Sequence, residues 1–343
     1  MQFDPAMVEG LYLRDILAQP RALRDTVASL CDRPGLADLA GFDRIVLTGM
    51  GASYHALPPL HIQLVEHGFH AAAYETSELI HYFAAALTPR TLLIAVSQSG
   101  RSVEIVRLLD AAAKRVRIIA VTNTPESPLA TRADVTILTH AGVESSVSSK
   151  TFVTTLVALA WLGAALRGAD RKQVESELRE AAPAAQDYLA GWEAKVSSLA
   201  NLLSGVRILF VTGRGASMAA AGAGGLILKE SAHCHAEGMT CSAFRHGPFE
   251  ISGPDTFALV FAGGPETAAL NEKLVLDVRN AGGRAAIVGP QSDMDALRIP
   301  LTPPAIRPVV EILPVQLMSL GLAALAGLQP GKFRLLTKVT TVE

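Results

Sequence analysis

The chain has 343 residues, of which half are hydrophobic and 18% are charged, and its formal net charge is -2. This length favours two domains, and the hydrophobic content favours large buried cores and excludes a disordered chain. The balanced charge makes nucleic acid and membrane surfaces poor candidates as partners, and three cysteines without a signal-peptide core at the N-terminus favour a cytoplasmic protein.

The first 35 residues are predicted to form one or two amphipathic helices. Leu13, Ile16, Leu23 and Leu30 recur at helical spacing, and Pro20 interrupts the pattern. A Pro-Gly pair at positions 34 and 35 ends the segment.

Short apolar runs separated by helix-sized segments follow from Arg44 onward. The runs are RIVLTG, TLLIAVS, RIIAVTN and VTILT. Because they do not alternate between apolar and polar residues, they predict parallel strands that are buried on both faces. Strands that alternate with helices in this way are typical of a doubly wound α/β fold.

An internal repeat predicts a second unit of the same plan. The segments RIVLTGMGAS and RILFVTGRGAS end at Ser53 and Ser217, and two more buried runs, FALVFAGG and AAIVG, follow the second copy. We therefore predict an N-terminal helical segment (1–35), a first α/β domain (36–168), a polar helical linker (169–200), a second α/β domain (201–330) and a C-terminal tail (331–343).

The most apolar long window, VVEILPVQLMSLGLAALAGL, is predicted to be a buried helix with a proline near its start. It contains Glu311, Pro314 and Gln316. These residues argue against a membrane span.

The strand TLLIAV is followed by a cluster of polar side chains, SQSGRS, before helical spacing resumes. In a doubly wound sheet, ligands bind beyond the carboxyl ends of the strands, where helix N-termini offer unpaired N–H groups. Serine hydroxyls and a glutamine amide can donate to a phosphate, and Gly100 allows a close approach of the backbone. Ser53 follows the first strand and could complete the same cradle.

A single serine at this position would more often be a helix N-cap than a ligand. Three hydroxyls and an amide within six residues, together with Ser53, favour anion binding instead. The motif is not a dinucleotide fingerprint, because Tyr54 stands where the third glycine would be, and it lacks the Lys-Ser/Thr ending of a P-loop.

Several segments resemble motifs of the SIS (sugar isomerase) domain family, in the same order along nearly the whole chain. They are ILAQPRAL, GMGASYHA, SQSGRSVE, LKESAHCHAEGMTCSAFRHGP and LTKVTTVE. Within the family, they are most similar to the isomerase half of glutamine–fructose-6-phosphate transaminases and to stand-alone amino-sugar-phosphate deaminases. The resemblance implies two flavodoxin-like, parallel-sheet SIS domains in tandem.

The resemblance also implies a role for individual residues. It assigns the sugar phosphate to Ala52, Ser53, Ser97, Gln98, Ser99 and Ser102. Glu230 would move a proton between C1 and C2 of the sugar, and Lys338 would form a Schiff base with a keto sugar. His246 would open the ring of the sugar that is bound to the neighbouring subunit, so a homodimer is expected.

These three residue types suit aldose–ketose chemistry on physical grounds. A desolvated carboxylate can take and return a proton, a histidine titrates near neutral pH, and a protonated imine is a better electron sink than a ketone. Each also has an ordinary alternative: Glu230 as the charged end of a surface helix, His246 as an inert histidine, and Lys338 as a solvated charge. Apolar neighbours of Lys338 predict that the tail docks.

The chain departs from the family pattern at three places. Arg101 stands where the family has glutamate, Ile227 stands where it has lysine, and the loop ESSVSSK is one residue shorter, so its backbone contacts are not assigned. The sequence also shows no counterpart of the glutaminase domain, so the use of glutamine is expected to need a separate protein.

No metal or other cofactor is predicted. His233 and His235, with Cys234 and Cys241 nearby, do not have a spacing that brings four donors together.

The preferred function is an isomerase that converts glucosamine 6-phosphate and water into fructose 6-phosphate and ammonia, or the reverse. Two other enzymatic functions are left open: a deglycase of fructosyl-amino acid 6-phosphates, and the isomerase subunit of a transaminase with a separate glutaminase. A phosphosugar sensor without catalytic activity is the alternative from another class.

Overall fold

The computed structural model describes residues 4–33, 41–112, 115–335 and 337–340. The chain forms two compact units, and each is built around one parallel sheet. The five-stranded unit comprises residues 21–144, 150–179 and 335–343, and the four-stranded unit comprises residues 1–20, 145–149 and 180–334. The predicted fold class, two parallel-sheet α/β units in tandem, is confirmed.

The sheet of the five-stranded unit has the order β2-β1-β3-β4-β5, and all its pairs are parallel. Its strands are β1 (Arg44–Gly49), β2 (Ala71–Glu75), β3 (Thr91–Val96), β4 (Arg117–Thr122) and β5 (Val135–Leu138). Every residue of β3 is buried, as expected for a central strand covered on both faces.

The helices of this unit connect the strands and cover the sheet. They are α3 (Ala52–His55), α4 (Pro58–Glu66), α5 (Thr76–His81), α6 (Val103–Ala112), α7 (Pro128–Arg132), α8 (Lys150–Leu166) and α9 (Arg171–Arg179), together with most of α2 (Gln19–Cys31). On α6, Ile105, Leu108 and Leu109 are spaced for one helix face and pack against Val46 and Leu93 of the sheet.

The four-stranded unit has the strand order β7-β6-β8-β9, also parallel throughout. Its strands are β6 (Ile208–Gly213), β7 (His235–Thr240), β8 (Thr256–Phe261) and β9 (Arg284–Val288). Its helices are α1 (Leu11–Leu17), α10 (Ala181–Leu189), α11 (Trp192–Leu203), α12 (Met218–Ala232), α13 (Cys241–Arg245), α14 (Ala268–Asn280) and α15 (Arg307–Leu325).

Helix α12 contacts strand β7 at backbone distance, which explains why the helix contains glycines. A Cβ atom on Gly225 would lie 2.3 Å from the backbone nitrogen of Gly238. A Cβ atom on Gly238 would lie 2.2 Å from the carbonyl oxygen of Ala221. The destabilising effect of glycine inside the helix, about 1 kcal/mol each, is therefore offset by close helix–strand packing.

Helix α15 is the long apolar helix of the sequence. It is long and apolar enough to cross a membrane by length and composition, but 94% of its most apolar window is buried within the protein. Pro314 lies inside the helix rather than near its start, which corrects the prediction from the sequence. The helix begins at Arg307, ahead of the apolar window, because Pro308 is well suited to the first turn.

Two strands were not predicted. Strands β2, with the sequence AAAYE, and β7, with the sequence HAEGMT, each pair with one neighbour at a sheet edge and remain partly exposed. Alanine, glycine and charged residues weaken the strand signal at such edges. The stretch predicted as a polar linker contains α9, α10 and most of α11, and the last two helices bury apolar side chains in the four-stranded unit.

Candidate active site

The predicted phosphate loop is a tight turn at the carboxyl end of β3. The hydroxyl of Ser97 accepts a hydrogen bond from the backbone N–H of Gly100 at 3.1 Å, and that of Ser99 accepts one from the N–H of Arg101 at 3.3 Å. A hydroxyl that accepts such a bond still has its own hydrogen to donate. The turn thus fixes two hydroxyl oxygens beside the start of helix α6, where Ser102 precedes the first helical residue.

Two glycines allow this turn to form. Gly100 has a φ of +60°, and a Cβ atom there would lie 2.2 Å from the hydroxyl oxygen of Ser127. A Cβ atom on Gly49, at the end of β1, would lie 3.0 Å from the carbonyl oxygen of Val96. Both positions therefore need glycine, one for its backbone conformation and one for the close approach of two strand ends.

Ser53 lies at the same edge of the sheet as the loop. It sits in the short helix α3 directly after β1, and β1 pairs with β3 in the parallel sheet. The structure therefore brings Ala52, Ser53 and the Ser97–Ser102 loop to neighbouring strand ends, as the sequence predicts. Their role in binding a phosphate stays a prediction.

A cavity of about 640 Å³ opens at the carboxyl ends of the sheet. Its wall includes Gln98 of the loop, Asn123 and Thr124 after β4, and Glu144 beyond β5. The backbone carbonyl of Gln98 accepts hydrogen bonds from the N–H of Asn123 at 3.0 Å and from the Thr122 hydroxyl at 3.2 Å. These bonds fix the loop to the neighbouring strand end and hold polar groups around the cavity.

The C-terminal tail docks on the five-stranded unit. The ammonium of Lys338 donates to the Oε2 atom of Glu144 at 2.7 Å, and 23% of the Lys338 side chain is exposed. The tail is held a second time, because the carbonyl of Thr340 accepts from the N–H of Val103 at 3.3 Å. Val103 is the first residue of α6, so the tail reaches the helix that follows the phosphate loop.

Glu230 and His246 lie in the four-stranded unit. Glu230 is half-buried in the last turn of α12, and His246 is exposed directly after α13. The predicted site residues are thus divided between the two units: the phosphate-loop residues and Lys338 in one, and Glu230 and His246 in the other. The catalytic roles of Glu230 and His246 stay predictions.

The structure shows the environment of two residues that depart from the family pattern, Arg101 and Ile227. The guanidinium of Arg101 donates to the carbonyl of Glu126 at 3.4 Å, on the side of α7. Ile227 is 1% exposed, so the position that is lysine in the family is part of the apolar core here. Among the described residues, no group of three or more His, Cys, Asp or Glu side chains is placed to hold a metal ion.

The second copy of the Gly-x-Gly-Ala-Ser motif has a different environment from the first. Ser217, the counterpart of Ser53 in the repeat, is buried and donates its hydroxyl hydrogen to Glu311 at 2.8 Å. Glu311 is 1% exposed, and its burial raises the pKa of the carboxyl group to about 7. The second motif therefore serves a buried hydrogen bond within the four-stranded unit.

Sequence reasoning missed Glu144 and the Asn123–Thr124 pair. Asn123 and Thr124 follow strand β4, so the rule that identified Ser97 and Ser53 applies to them as well. Glu144 lies in the loop whose contacts were not assigned, and its side chain is fully buried. A charged residue among small polar ones gives no burial signal in a single sequence.

The matched family model is that of the SIS domain, which covers residues 38–165 and 202–326. The chain belongs to the SIS domain family. The predicted class, an enzyme of the phosphosugar isomerase type in that family, is confirmed.

The chain is similar to known proteins over nearly its whole length. The chain is 34% identical over 352 residues to a glutamine–fructose-6-phosphate aminotransferase (isomerizing) of Pyrococcus horikoshii, covering 98% of this chain and 58% of that protein. The structure is similar to the C-terminal domain of glucosamine-fructose-6-phosphate aminotransferase from Francisella tularensis, with a TM-score of 0.83, 22% identity, and coverage of 99% of this chain and 100% of that one. It is also similar to glucosamine-6-phosphate deaminase from Thermotoga maritima, with a TM-score of 0.81, 18% identity, and coverage of 97% and 100%.

These similarities support the fold of this chain but not a particular activity. The two structural neighbours share less than a quarter of their residues with this chain, so they show the fold alone. The chain spans 58% of the length of the Pyrococcus relative. The activity and substrates of that whole protein are therefore not transferred to this chain by similarity.

Proposed function

We propose that the protein interconverts an amino-sugar phosphate and a keto-sugar phosphate with release or uptake of ammonia. The preferred reaction is glucosamine 6-phosphate plus water to fructose 6-phosphate plus ammonia. The observation that carries the proposal is the hydroxyl- and amide-rich loop after β3, which has Ser53 beside it and a cavity bordered by Gln98 and Glu144. The tail lysine, Lys338, is bound to that same Glu144.

The phosphate is held by neutral donors in this proposal. Ser53, Ser97, Ser99 and Ser102 supply hydroxyls, Gln98 supplies its amide, and the N-terminus of α6 adds backbone N–H groups and a partial positive charge. A dianion is stabilised at such a helix start without a fixed cation.

The sugar chemistry is assigned to three side chains. His246 opens the ring, Glu230 moves the proton between C1 and C2, and Lys338 forms an imine with the keto form at C2. General acid–base groups of this kind accelerate proton transfer by about 10²- to 10⁴-fold. We further propose a cytoplasmic homodimer in which His246 serves the site of its partner.

The direct test is to incubate the protein with glucosamine 6-phosphate and to measure both ammonia and fructose 6-phosphate. Equal amounts of both products are expected. The Glu230→Gln variant should be at least about 100-fold slower, since it keeps the shape of the side chain but cannot accept the proton. Glu193→Gln, an exposed position on α11, is the matched control and should keep full activity.

Other outcomes would identify the alternatives. Turnover of fructosyl-amino acid 6-phosphates, without activity on glucosamine 6-phosphate, would make the protein a deglycase. Synthesis of glucosamine 6-phosphate that needs a separate glutaminase would make it the isomerase subunit of a transaminase. Binding of sugar phosphates that raises the melting temperature, with no turnover of any of them, would make it a sensor.

A further inference from the structure

A buried carboxylate, Glu144, faces the ammonium of Lys338. The Glu144 side chain is 0% exposed, and its Oε2 atom lies 2.7 Å from the Nζ atom of Lys338. The residue also lines the cavity that contains Gln98 and Asn123. The tail lysine is thus bound to the buried carboxylate of a residue that lines this cavity rather than to a surface group.

The N-terminus of helix α8 fixes the position of this carboxylate. The backbone N–H of Thr151 donates to the Oε1 atom of Glu144 at 3.1 Å, and the Thr151 hydroxyl donates to the Oε2 atom at 2.5 Å. Thr151 is the second residue of α8, where backbone N–H groups lack intrahelical partners and the helix dipole favours a negative charge. The carboxylate is therefore rigidly held before any substrate binds.

The tail segment is also fixed on the far side of Lys338. The carbonyl of Thr340 accepts from Val103 at the start of α6, as described above. Two anchors, one at the side chain of Lys338 and one at the backbone of Thr340, limit where the Nζ atom can go. An interaction that only tethers the tail would need just one of these two contacts. It would not need a buried charged group beside a cavity.

We propose that Glu144 is the positioning residue and counter-ion of the Lys338 imine; this inference rests on the proposed function. When Lys338 reacts with the open-chain keto sugar, its nitrogen forms a bond to C2 and the C2–O bond breaks. The oxygen leaves as water with two of the three ammonium hydrogens, and the positive charge stays on nitrogen. Glu144 faces that charge before and after the reaction, so it keeps the imine protonated and able to accept electrons.

The test traps the imine with sodium cyanoborohydride in the presence of fructose 6-phosphate, and detects the reduced adduct by intact mass and peptide mapping. The wild-type protein should gain one adduct at Lys338, and Lys338→Arg should gain none. Glu144→Gln keeps the shape of the side chain and removes its charge, so trapping should be about tenfold slower at pH 8. Glu144→Asp, which keeps the charge, should recover part of the rate.

Two further measurements separate this role from simple anchoring of the tail. Glucitol 6-phosphate has no carbonyl group, so its affinity for Glu144→Gln should stay within about twofold of wild type. The ratio of wild-type to Glu144→Gln trapping rates should rise between pH 6 and pH 9, because an imine without its counter-ion loses its proton more readily. A mere anchor would change the rate by the same factor at every pH.

The outcomes distinguish the inference from the proposed function. Equal trapping by wild type and Glu144→Gln, or a ratio that does not change with pH, would overturn the role of Glu144 and leave the proposed function intact. A wild-type protein that releases ammonia from glucosamine 6-phosphate but forms no adduct would overturn the imine and the inference with it. A protein that does neither would contradict the proposed function itself.

Discussion

At the scale of single residues, the hydroxyls of the phosphate loop give the first prediction. Ser99→Ala should weaken the binding of glucitol 6-phosphate about tenfold, because one hydrogen bond to a charged oxygen is lost. Isothermal titration calorimetry measures this directly. Ser198→Ala, an exposed serine on α11, is the control and should bind as wild type does. Unchanged affinity of Ser99→Ala would remove Ser99 from the site.

Glu311 gives a prediction about stability and pH. Its pKa is about 7 in the folded protein, against an ordinary value of 4.5 for a glutamate side chain. Below pH 4.5 the group is protonated in both states and has no effect. As the pH rises to 7, the unfolded chain releases the proton first, so the free energy of unfolding falls by about 3 kcal/mol, and the loss is complete above pH 7.

Glu311→Gln should therefore remove this pH dependence. The amide can still accept from Ser217 but carries no charge, so the variant should be more stable than wild type at pH 8 and similar at pH 4.5. Thermal unfolding across that range measures the difference. The melting temperature of the control variant Glu193→Gln, exposed on α11, should change with pH in the same way as that of the wild type. A wild-type curve that is parallel to that of Glu311→Gln would contradict the raised pKa.

The residues of the site differ in how far the sequence could predict them. The hydroxyls of Ser97 and Ser99 are predictable, because strand, turn and helix are local and the ligand edge of a parallel sheet is known. The partner of Lys338 is not, since Glu144 lies 194 positions away and stands in a loop without a periodic pattern. The apolar neighbours of Lys338 predict that the tail docks, but no local signal encodes which residue Lys338 meets there.

At the scale of elements, the turn between β3 and α6 depends on Gly100. Gly100→Ala should lower the melting temperature and weaken phosphate binding, because the methyl group would collide with Ser127 and the positive φ is unfavourable for alanine. Gly168→Ala is the matched control: its φ is +67°, and nothing lies within 4 Å of the added atom. It should show the strain alone and should leave phosphate binding unchanged.

A double variant makes this test sharper. Ser127→Gly removes the two atoms that the new methyl group would meet most closely. Added to Gly100→Ala, it should restore part of the phosphate affinity, although α7 loses the hydrogen bond that the Ser127 hydroxyl accepts from Ala130. If Gly100→Ala binds phosphate like Gly168→Ala, the close contact does not shape the loop.

One edge of each sheet marks the limit of prediction for whole elements, because β2 and β7 were missed whereas the opposite edge strands, β5 and β9, were predicted. Central strands such as β3 are continuous apolar runs, and the sequence predicts them well. Edge strands are half solvated and paired on one side, so β2 and β7 contain alanine, glycine and charged residues that also suit loops. The strand signal of β7 is weak for a further reason: Gly238 is required by the close contact with α12 rather than by the strand itself.

At the scale of the whole molecule, the proposed dimer predicts complementation between inactive variants. His246→Ala and Lys338→Ala should each be inactive alone. In a mixed dimer, one site keeps its own Lys338 and receives His246 from the other subunit, while the second site lacks both. Random exchange of subunits should therefore restore about a quarter of the wild-type activity.

The measurement is the rate of ammonia release after the two variants are mixed, unfolded together and refolded. Refolding each variant alone is the control for activity that recovers by itself. If the mixture stays inactive although mixed dimers form, then His246 acts within its own subunit. If the protein elutes as a monomer on size-exclusion chromatography at all concentrations, the shared site is excluded.

The path of the chain between its two units has a practical consequence. The polypeptide passes from one unit to the other after residues 20, 144, 149, 179 and 334. A gene cut once between residues 21 and 334 therefore yields two fragments of which neither encodes a whole unit. Anyone wishing to produce one unit alone would have to splice separate segments with new connections, and a stop codon placed just before the last nine codons would already truncate the unit that begins at residue 21.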